Sequence, residues 1–354
     1  MVKLNQLKSQ FIKHIVNLNV ISTSPHTSAV ITGFLMLSEQ GIIDLKINLL
    51  YDKVQDYPTP HLVEAIIGKK RIAFDTLDGY NWNVNTVEDY LNNIDFYFKR
   101  SFSDEKNKTL SEKNRSKICP LGFNYHLSHK KNPNDGRKNL IKELIRICLG
   151  RKGNSYFTPN KFEAPADNKD NNLKILFFTR LWEPDTNNGL LDKEREYINQ
   201  MRISIIRKLK QLYPENFIGG VQNSAYAKKM CEDIIMPDKY TIRQNYLKLV
   251  KQSDICIGSM GLHESIGWKT GEYVAASRAI VNERLHYKVT GDFDIGKNYL
   301  SFDNEDECVN HISYLIQNPD MVYAMKKENE KYYHSFLRPD KQILNTLKIV
   351  LKKE

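Results

Sequence analysis

Residues 253–282 read SDICIGSMGLHESIGWKTGEYVAASRAIVN, and this stretch decides the predicted fold. Residues 254–257 form an apolar run of strand length, which ends in the small residues of 258–261. A helix is predicted over about 265–277, and a second apolar run follows at 279–281. Strand, glycine loop, helix and strand in this order form a βαβ unit. Its loop is expected at the carboxyl end of the sheet, where open α/β sheets bind ligands.

Two carboxylates frame the predicted helix. Glu264 and Glu272 are eight residues apart, about two turns at ~3.6 residues per turn, so both are expected on roughly one side. The first-turn amides of Ser265, Ile266 and Gly267 would lack intrahelical partners and would face the positive end of the helix dipole. This arrangement predicts an anion site. Gly267 has no side chain, so a bound anion can approach the backbone closely there.

Strands and helices alternate along the whole chain, and one polar segment without periodicity interrupts them. Residues 161–172, KFEAPADNKDNN, are predicted to be an interdomain linker. An N-terminal Rossmann-like domain is expected at 1–160 and a C-terminal one at 173–325. The helices predicted at 326–354 are expected to pack back on the N-terminal domain. The predicted fold class is α/β, with two Rossmann-like domains facing each other across a cleft.

Composition sets the broad class of the protein. The chain has 354 residues, enough for two domains, and its 41% apolar and 27% charged residues are typical of a soluble globular protein. No apolar run reaches the ~18 residues that span a bilayer. Polar residues interrupt the centre that a signal peptide would need, so a cytoplasmic location is expected. The five cysteines lack CxxC spacing, which predicts neither a zinc site nor a disulfide framework.

Positive charge is concentrated in one region. The net charge is +10, and residues 101–152 contain thirteen Lys or Arg against five Asp or Glu, a surplus of +8. Such a region fits nucleic acid, an anionic membrane surface or an anionic glycan acceptor, and it equally fits a solvated face. Residues 1–14 form a basic amphipathic segment that would lie on the protein or on an anionic membrane. Peripheral contact with the inner face of a membrane is therefore an open alternative.

The N-terminal domain begins with a similar pattern. Residues 17–22 are predicted as a strand, Ser24 caps a helix over 27–40, and a strand follows at 44–51. His26 therefore lies at a strand-to-helix corner, where a lone histidine is more often a simple helix-start residue than a catalytic one. The remaining predicted elements of this domain are strands at 71–75, 94–99 and 117–119 and a helix at 137–149.

Charged residues follow other predicted strands. Asp75, Asp78 and His126 fall near strand ends or in loops of the first domain, where turn or cap roles are the more frequent ones. In the second domain the strand predicted at 173–178 is followed by Arg180. Arginine suits an anion such as phosphate because its planar fork matches phosphate oxygens and keeps its charge.

The stretch quoted above resembles a known signature. Glu-x7-Glu followed by Tyr-Val-Ala-Ala-Ser-Arg-Ala-Ile-Val is similar to the donor-site pattern of retaining GT-B glycosyltransferases of the family 4, or group 1, type. That pattern looks like E-x-F-G-x-x-x-x-E-A-M-A-x-G-x-P-V-V. Ser277 stands where Gly is usual and Ala279 where Pro is usual. The similarity covers about residues 173–320, and the matching positions are Glu264, Ile266 (at the aromatic position), Gly267, Glu272, Ala275, Ile280 and Val281.

The resemblance implies a nucleotide-sugar co-substrate and no cofactor. Glu272 would grip the ribose hydroxyls of a UDP- or GDP-linked donor. Glu264 would act at the donor sugar, where it stabilises positive charge at the anomeric carbon. His26 would face the donor sugar or the acceptor hydroxyl. The acceptor would be a glycan or a lipid-linked molecule, the anomeric configuration would be retained, and no metal would be required.

The resemblance also implies how the diphosphate is held. Arg180, in Thr179-Arg180-Leu181, is similar to the arginine of a Gly-Arg-Leu corner that meets the phosphates. In the family a lysine follows within several residues; here Lys193 comes after an insertion, and Lys269 is the alternative cation. The loop residues Ser265, Ile266 and Gly267 would line the donor site.

Two other functions are compatible with parts of the sequence. A nucleotide-sugar epimerase of the same architecture would release a free sugar nucleotide and need no acceptor. A nucleic-acid-binding protein would use the basic 101–152 region together with Tyr125, Tyr156 and Phe157, and its binding would depend steeply on salt. The latter leaves the Glu-x7-Glu stretch unexplained, so no nucleic acid is expected as a partner.

Overall fold

The computed structural model describes residues 14–134, 157–167, 172–184 and 189–352. These residues belong to two compact units. The first comprises Met1–Lys161, Lys288–Thr290 and His334–Glu354, and the second comprises Phe162–Tyr287 and Gly291–Tyr333. The amphipathic segment predicted before residue 14 and the helix predicted at 137–149 lie outside the described residues.

The first unit is built on a mixed six-stranded sheet. Its strands are β1 (Ile15–Val20), β2 (Asp44–Leu49), β3 (Leu62–Ile67), β4 (Lys70–Asp75), β5 (Phe96–Lys99) and β6 (Ile118–Pro120), in the spatial order β2-β1-β3-β4-β5-β6. Neighbouring strands are parallel except that β3 is antiparallel to both β1 and β4. Its helices include α1 (Ser28–Glu39), α2 (Val84–Asn92), α3 (Asp104–Asn107) and α4 (Glu112–Arg115).

Strand β3 is absent from the sequence-based prediction. It pairs with β4 through a two-residue turn at 68–69, in which Gly68 has a φ of +59°, a conformation that residues with a Cβ rarely adopt. Both strands are largely buried. Without β3 the order would be β2-β1-β4-β5-β6, and the direction of strand addition would reverse at β1. The hairpin therefore places an extra strand at the topological switch point of this sheet.

The first strand-to-helix corner forms as predicted. Ser24 Oγ accepts a hydrogen bond from the His26 amide at 3.3 Å, and a 3₁₀ turn over Pro25–Thr27 leads into α1. After α1 the chain turns through Gly41, whose φ is +67°. Most of α1 is buried, so the corner is held against the core of the first unit.

The second unit is built on a fully parallel five-stranded sheet. Its strands are β7 (Ile175–Thr179), β8 (Phe217–Val221), β9 (Ile255–Gly258), β10 (Ala279–Glu283) and β11 (Leu300–Phe302), in the order β11-β10-β9-β7-β8. Strand addition reverses at β7, so the switch point lies between β7 and β9. Its helices include α5 (Gly189–Leu212), α6 (Ala225–Cys231), α7 (Arg243–Gln252), α8 (Trp268–Ala275), α9 (Glu305–Gln317) and α10 (Pro319–Tyr332).

The segment at 162–167, part of the predicted linker, packs on the second unit. The buried Arg278 donates through Nη2 to Pro165 O at 2.8 Å. The buried Lys326 amine lies 2.5 Å from Asp167. The boundary between the units therefore falls at the start of the predicted linker, after Lys161.

The C-terminal helix α11 (Pro339–Leu351) belongs to the first unit. Its Ile343, Leu344 and Leu347 share one apolar cluster with Phe34 of α1. Of the helices predicted at 326–354, the part after Tyr333 lies in the first unit, whereas α10 lies in the second. No helix within the described ranges is long and apolar enough to cross a membrane.

Candidate functional site

Two strand ends meet at the switch point of the second sheet. Strands β7 and β9 are neighbours, so their carboxyl ends lie at one edge. Arg180 directly follows β7, and the loop at 259–267 follows β9 and leads into α8. Arg180 and the loop at 264–267, both singled out by the sequence, thus follow adjacent strand ends, where open α/β sheets bind ligands.

The helix after β9 begins later than predicted. α8 starts at Trp268 rather than near Ser265, and Glu264 lies in a separate 3₁₀ turn. His263 and Glu264 have φ values of +61° and +58°. Helical geometry cannot continue through two left-handed residues, so the loop is completed before α8 starts. Glu264 and Glu272 are therefore not on one helix, which corrects the expectation drawn from their spacing.

Hydrogen bonds within the loop fix its course. The Ser265 amide donates to Leu262 O at 3.2 Å, and Ser265 O accepts from the Gly261 amide at 2.8 Å. Ser265 and Ile266 are buried parts of this loop and not the first turn of a helix. Gly267 is the N-cap residue of α8 and has no side chain that could accept a hydrogen bond from the first-turn amides. The positive end of the helix dipole consequently lies at Trp268.

Close packing explains two glycines of this region. A Cβ on Gly258 would lie 1.8 Å from Asn282 Oδ1, and one on Gly267 would lie 3.2 Å from Ser259 O. Asn282 also accepts a hydrogen bond from Thr270 Oγ1 at 3.0 Å. The start of α8 is therefore seated directly on the ends of β9 and β10.

Glu272 is a buried carboxylate with one oxygen in use. Its side chain is 1% exposed, and Arg243 Nη2 on α7 donates to Oε1 at 2.6 Å. Its other oxygen, Oε2, has no hydrogen-bond partner among the described residues. Burying an unsatisfied carboxylate oxygen costs free energy. A ligand hydroxyl at this position would remove that cost.

Lys269 is a half-buried cation beside Glu272. Its Nζ donates to Phe178 O and lies 4.8 Å from the ring centroids of Phe178 and Tyr246. Burial lowers the pKa of Lys269 from 10.5 to about 7; Glu272 opposes this shift, whereas Arg202, Arg243 and Arg180 add to it. An anion bound here would favour the charged amine.

Arg180 is the exposed member of this group of cations. Its guanidinium lies 3.8 Å from the centroid of the Trp182 ring, and burial of part of the side chain lowers its pKa. The ring holds the guanidinium at the strand end while one face stays available to solvent. The structure thus places Arg180 in electrostatic range of Lys269.

Arg202 on α5 ties the two strand-end loops together. It is buried, and it donates to Arg180 O at 2.6 Å, to Ser259 Oγ at 2.9 Å and to Met260 O at 2.8 Å. Burial lowers its pKa to about 10, and Glu283 opposes that shift. Neither Arg202 nor Arg243 was predicted from the sequence. Arg202 lies on a long amphipathic helix, where nothing in the sequence distinguishes it from its solvated neighbours.

Glu264 is the accessible carboxylate of the pair. Its side chain is 43% exposed, His286 Nδ1 lies 3.9 Å from Oε1, and its amide donates to Glu194 Oε1 at 3.3 Å. It lines a small cleft together with Ser259, Met260, Ser265, Ile266, Gly267, Asn282, Glu283, Arg284 and Leu285.

Two predicted site residues are carried by other elements. Lys193 is on the first turns of α5, next to Glu194, whose Oε1 accepts a hydrogen bond from the Glu264 amide at 3.3 Å. His26 belongs to the first unit. Arg180, Lys269, Glu272 and the loop at 264–267 are the predicted residues that the second unit carries at its switch point.

The basic region predicted at 101–152 is described only up to residue 134. In that part, Lys108 pairs with Glu105, and Arg115 lies 3.9 Å from Glu112 at the surface. Some of its charge is thus balanced locally. Within the described ranges no group of three or more His, Cys, Asp or Glu side chains could hold a metal ion.

Comparison with known proteins gives weak likenesses. No family model and no curated protein matches the sequence. Anabaena Alr3699/HepE in complex with UDP-glucose is 12% identical and aligns over 89% of this chain and 88% of that chain, with a TM-score of 0.42. S. aureus MnaA with UDP is 13% identical over 74% of this chain and 61% of that chain, with a TM-score of 0.37.

A partial match concerns one domain of another protein. The C-terminal domain of LpcC, a glycosyl transferase group 1 family protein from Francisella tularensis, is 11% identical and covers 50% of this chain and 95% of that chain, with a TM-score of 0.34. At these identities and TM-scores the likenesses do not assign an activity.

Proposed function

We propose that this protein is a glycosyltransferase that moves a sugar from a nucleoside-diphosphate sugar to a glycan or lipid-linked acceptor. One observation carries the proposal. At the switch point of the second sheet, Lys269 is influenced electrostatically by Arg180, Arg202, Arg243 and the buried Glu272, one oxygen of which has no hydrogen-bond partner among the described residues. A surplus of cations fits a diphosphate, and the unpartnered oxygen fits a ribose hydroxyl.

The proposed roles follow from exposure and charge. Glu272 would accept a hydrogen bond from the ribose through Oε2, while Arg243 holds Oε1. Arg180 and Lys269 would neutralise the diphosphate, with the positive end of α8 adding to their field. The accessible Glu264 would lie at the sugar, where a carboxylate stabilises positive charge on the anomeric carbon. Lys193 remains a weaker candidate for the phosphates.

The proposed reaction breaks the bond between the anomeric carbon and the phosphate oxygen and forms one to an acceptor oxygen. The acceptor proton passes to the departing phosphate, and a nucleoside diphosphate is released. We propose that this occurs on the face the phosphate leaves, which retains the anomeric configuration, and that cations of the protein replace a metal ion. UDP and GDP are the proposed carriers, and the proposed location is cytoplasmic, with or without peripheral membrane contact.

A thermal-shift screen of nucleotide sugars tests this proposal. UDP- or GDP-linked sugars should raise the melting temperature of the wild-type protein, and Glu272→Gln should abolish the rise. Arg207→Ala serves as the control, because Arg207 lies on α5 but pairs at the surface with Asp233. Stabilisation by no nucleotide sugar, or equal stabilisation of the Glu272 variant, would overturn the assigned site. Release of an isomerised sugar nucleotide without an acceptor would instead identify an epimerase.

A further inference from the structure

The extra strand β3 brings a second histidine to the edge of the first sheet. Because β3 runs antiparallel to β1 and β4, its amino-terminal end lies where those two strands end. His61 directly precedes β3, and His26 lies in the corner after β1. Their ring centroids are 4.7 Å apart, with an angle of 51° between the ring planes. The inserted strand thus pairs two imidazoles at the switch point of this sheet.

Hydrogen bonds hold the two histidines in place. Ser24 Oγ lies 2.7 Å from His61 Nδ1, and the same oxygen accepts a hydrogen bond from the His26 amide at 3.3 Å. Asn124 Nδ2 donates to His26 O at 2.8 Å. Both imidazoles are half-buried. The pair is therefore fixed by the corner, and part of each side chain is exposed.

The charged side chains around the pair balance one another. Asp75 lies 2.9 Å from Lys99, and Asp78 pairs with Arg100. Lys99, Arg100 and Asp75 are buried, and His126 is a further titratable neighbour of His26. With two acids matched by two bases, the charge of the site depends on its histidines.

The surroundings of the pair favour the neutral form of both imidazoles. Burial lowers the pKa of His26 to about 4; Asp78 opposes this shift, whereas Arg100, His61 and His126 add to it. Burial also lowers the pKa of His61, with Asp75 and Asp78 opposing and Arg100 adding. A neutral imidazole has one nitrogen that donates and one that accepts, so it can bind a hydroxyl in either sense. In His61, Nδ1 is already bonded to Ser24 Oγ, so Nε2 is the nitrogen that would meet a ligand. A site without net charge favours an uncharged ligand over an anion.

We infer that the first unit carries a hydroxyl-binding site on the His26–His61 pair, and that its ligand is an uncharged, polyhydroxylated molecule. The identification of that ligand as the sugar acceptor rests on the function proposed above. The site itself rests on the paired rings, their fixed corner and the balanced charges. His26 and His61 would hold an acceptor hydroxyl through hydrogen bonds and would take no proton from it.

Histidine-selective NMR of the full-length protein tests the site. The imidazole carbon signals of His26 and His61 are assigned with His26→Gln and His61→Gln, and a panel of methyl glycosides of common hexoses and N-acetylhexosamines serves as the probe. At least one glycoside should shift both signals, while inorganic phosphate should shift neither. No response to any glycoside, or a response to phosphate alone, overturns the inference. The signal of His311, on α9 of the second unit, is the internal control.

Kinetics with the responding glycoside separates the two proposals. His61→Ala should raise the acceptor KM roughly tenfold, the loss of about one hydrogen bond, and leave nucleotide affinity unchanged. His61→Gln, which keeps a donor and an acceptor, should recover part of the loss. An unchanged KM in His61→Ala overturns the acceptor role. If glycosides shift the histidine signals while no nucleotide sugar binds, the hydroxyl site stands and the glycosyltransferase proposal fails.

Discussion

Ser277 donates a hydrogen bond through Oγ to Ala164 O at 2.8 Å while its own backbone has a φ of +56°. The serine occupies the position where the resembling signature has glycine, and its conformation is the left-handed one that glycine favours. The hydroxyl thus joins the turn after α8 to the segment at 162–167, and this contact offsets the backbone strain.

Two substitutions separate the contact from the strain. Ser277→Ala keeps the strain and loses the hydrogen bond, so we expect a loss of about 1 kcal/mol in the free energy of unfolding. Ser277→Gly loses the bond but relieves a strain of ~1–2 kcal/mol, so its stability should lie at or above that of Ser277→Ala. Urea unfolding of the three proteins provides the comparison. An alanine variant as stable as the wild type would show that the hydroxyl contributes nothing.

Arg243→Met should destabilise the second unit, because it removes the guanidinium that hydrogen-bonds to the buried Glu272 carboxylate. Removing one partner of a buried ion pair costs ~3–5 kcal/mol; Arg243 is itself partly exposed, which reduces the expected loss. The double variant Arg243→Met with Glu272→Gln should recover much of the lost stability, because residue 272 then carries no buried charge. The control is Arg207→Met. Because Arg207 and Asp233 are both half-exposed, the loss of their ion pair should lower the free energy of unfolding by less than ~1 kcal/mol. Equal stability of the single and double variants would contradict the coupling.

Glu264→Gln should reduce turnover far more than donor binding. The side chain is 43% exposed, so its loss disturbs little of the fold. If it stabilises charge that develops only in the transition state, kcat should fall by ~100-fold or more while the Kd for the nucleotide sugar changes little. Steady-state kinetics and titration calorimetry measure the two effects. The exposed Glu232 gives a matched control as Glu232→Gln. Full turnover in the Glu264 variant would remove its assigned role.

Local patterns explain why parts of this architecture were predictable. The apolar runs of β7, β9 and β10 and the cap at Ser24 are short-range signals, and the structure has these elements where they were predicted. The start of α8 was predicted too early because nothing in the residues of the loop reveals the left-handed backbone at 263–264. Strand β3 was missed although Gly68 marks its turn, and with it the pairing of His61 with His26. Arg202 and Arg243 reach the site by tertiary packing, which no spacing in the sequence encodes.

Gly33→Ala should destabilise the first unit, because the C-terminal helix packs directly on this position. An added Cβ would lie 2.5 Å from Pro339 O and 2.4 Å from Ile343 Cγ1. Overpacking of a buried contact typically costs ~1–3 kcal/mol. Gly189→Ala is the matched control, since a Cβ there meets nothing within 4 Å and lies in α5. Urea unfolding should show a lower midpoint for Gly33→Ala only. Equal midpoints would mean that α1 and α11 can separate without cost.

Lys269 should make both stability and donor binding depend on pH. Burial lowers its pKa from 10.5 to about 7 in the folded protein. The folded chain therefore binds fewer protons than the unfolded chain between about pH 7 and 10.5, so this residue makes stability rise with pH across that window. Lys269→Met should remove the rise. The exposed Lys331, as Lys331→Met, should leave it unchanged.

A diphosphate bound among these cations would favour the charged amine and raise the pKa of Lys269 again. Binding of UDP or GDP, whichever stabilises the protein, should therefore take up a proton at about pH 8, and affinity should fall as the pH rises above about 7. Titration calorimetry in two buffers with different ionisation enthalpies measures the uptake. Lys269→Met should show less uptake than the wild type, and any proton carried by the nucleotide cancels in that comparison. Identical uptake by the two proteins would place the phosphates away from Lys269 and leave Arg180 as the cation that meets them.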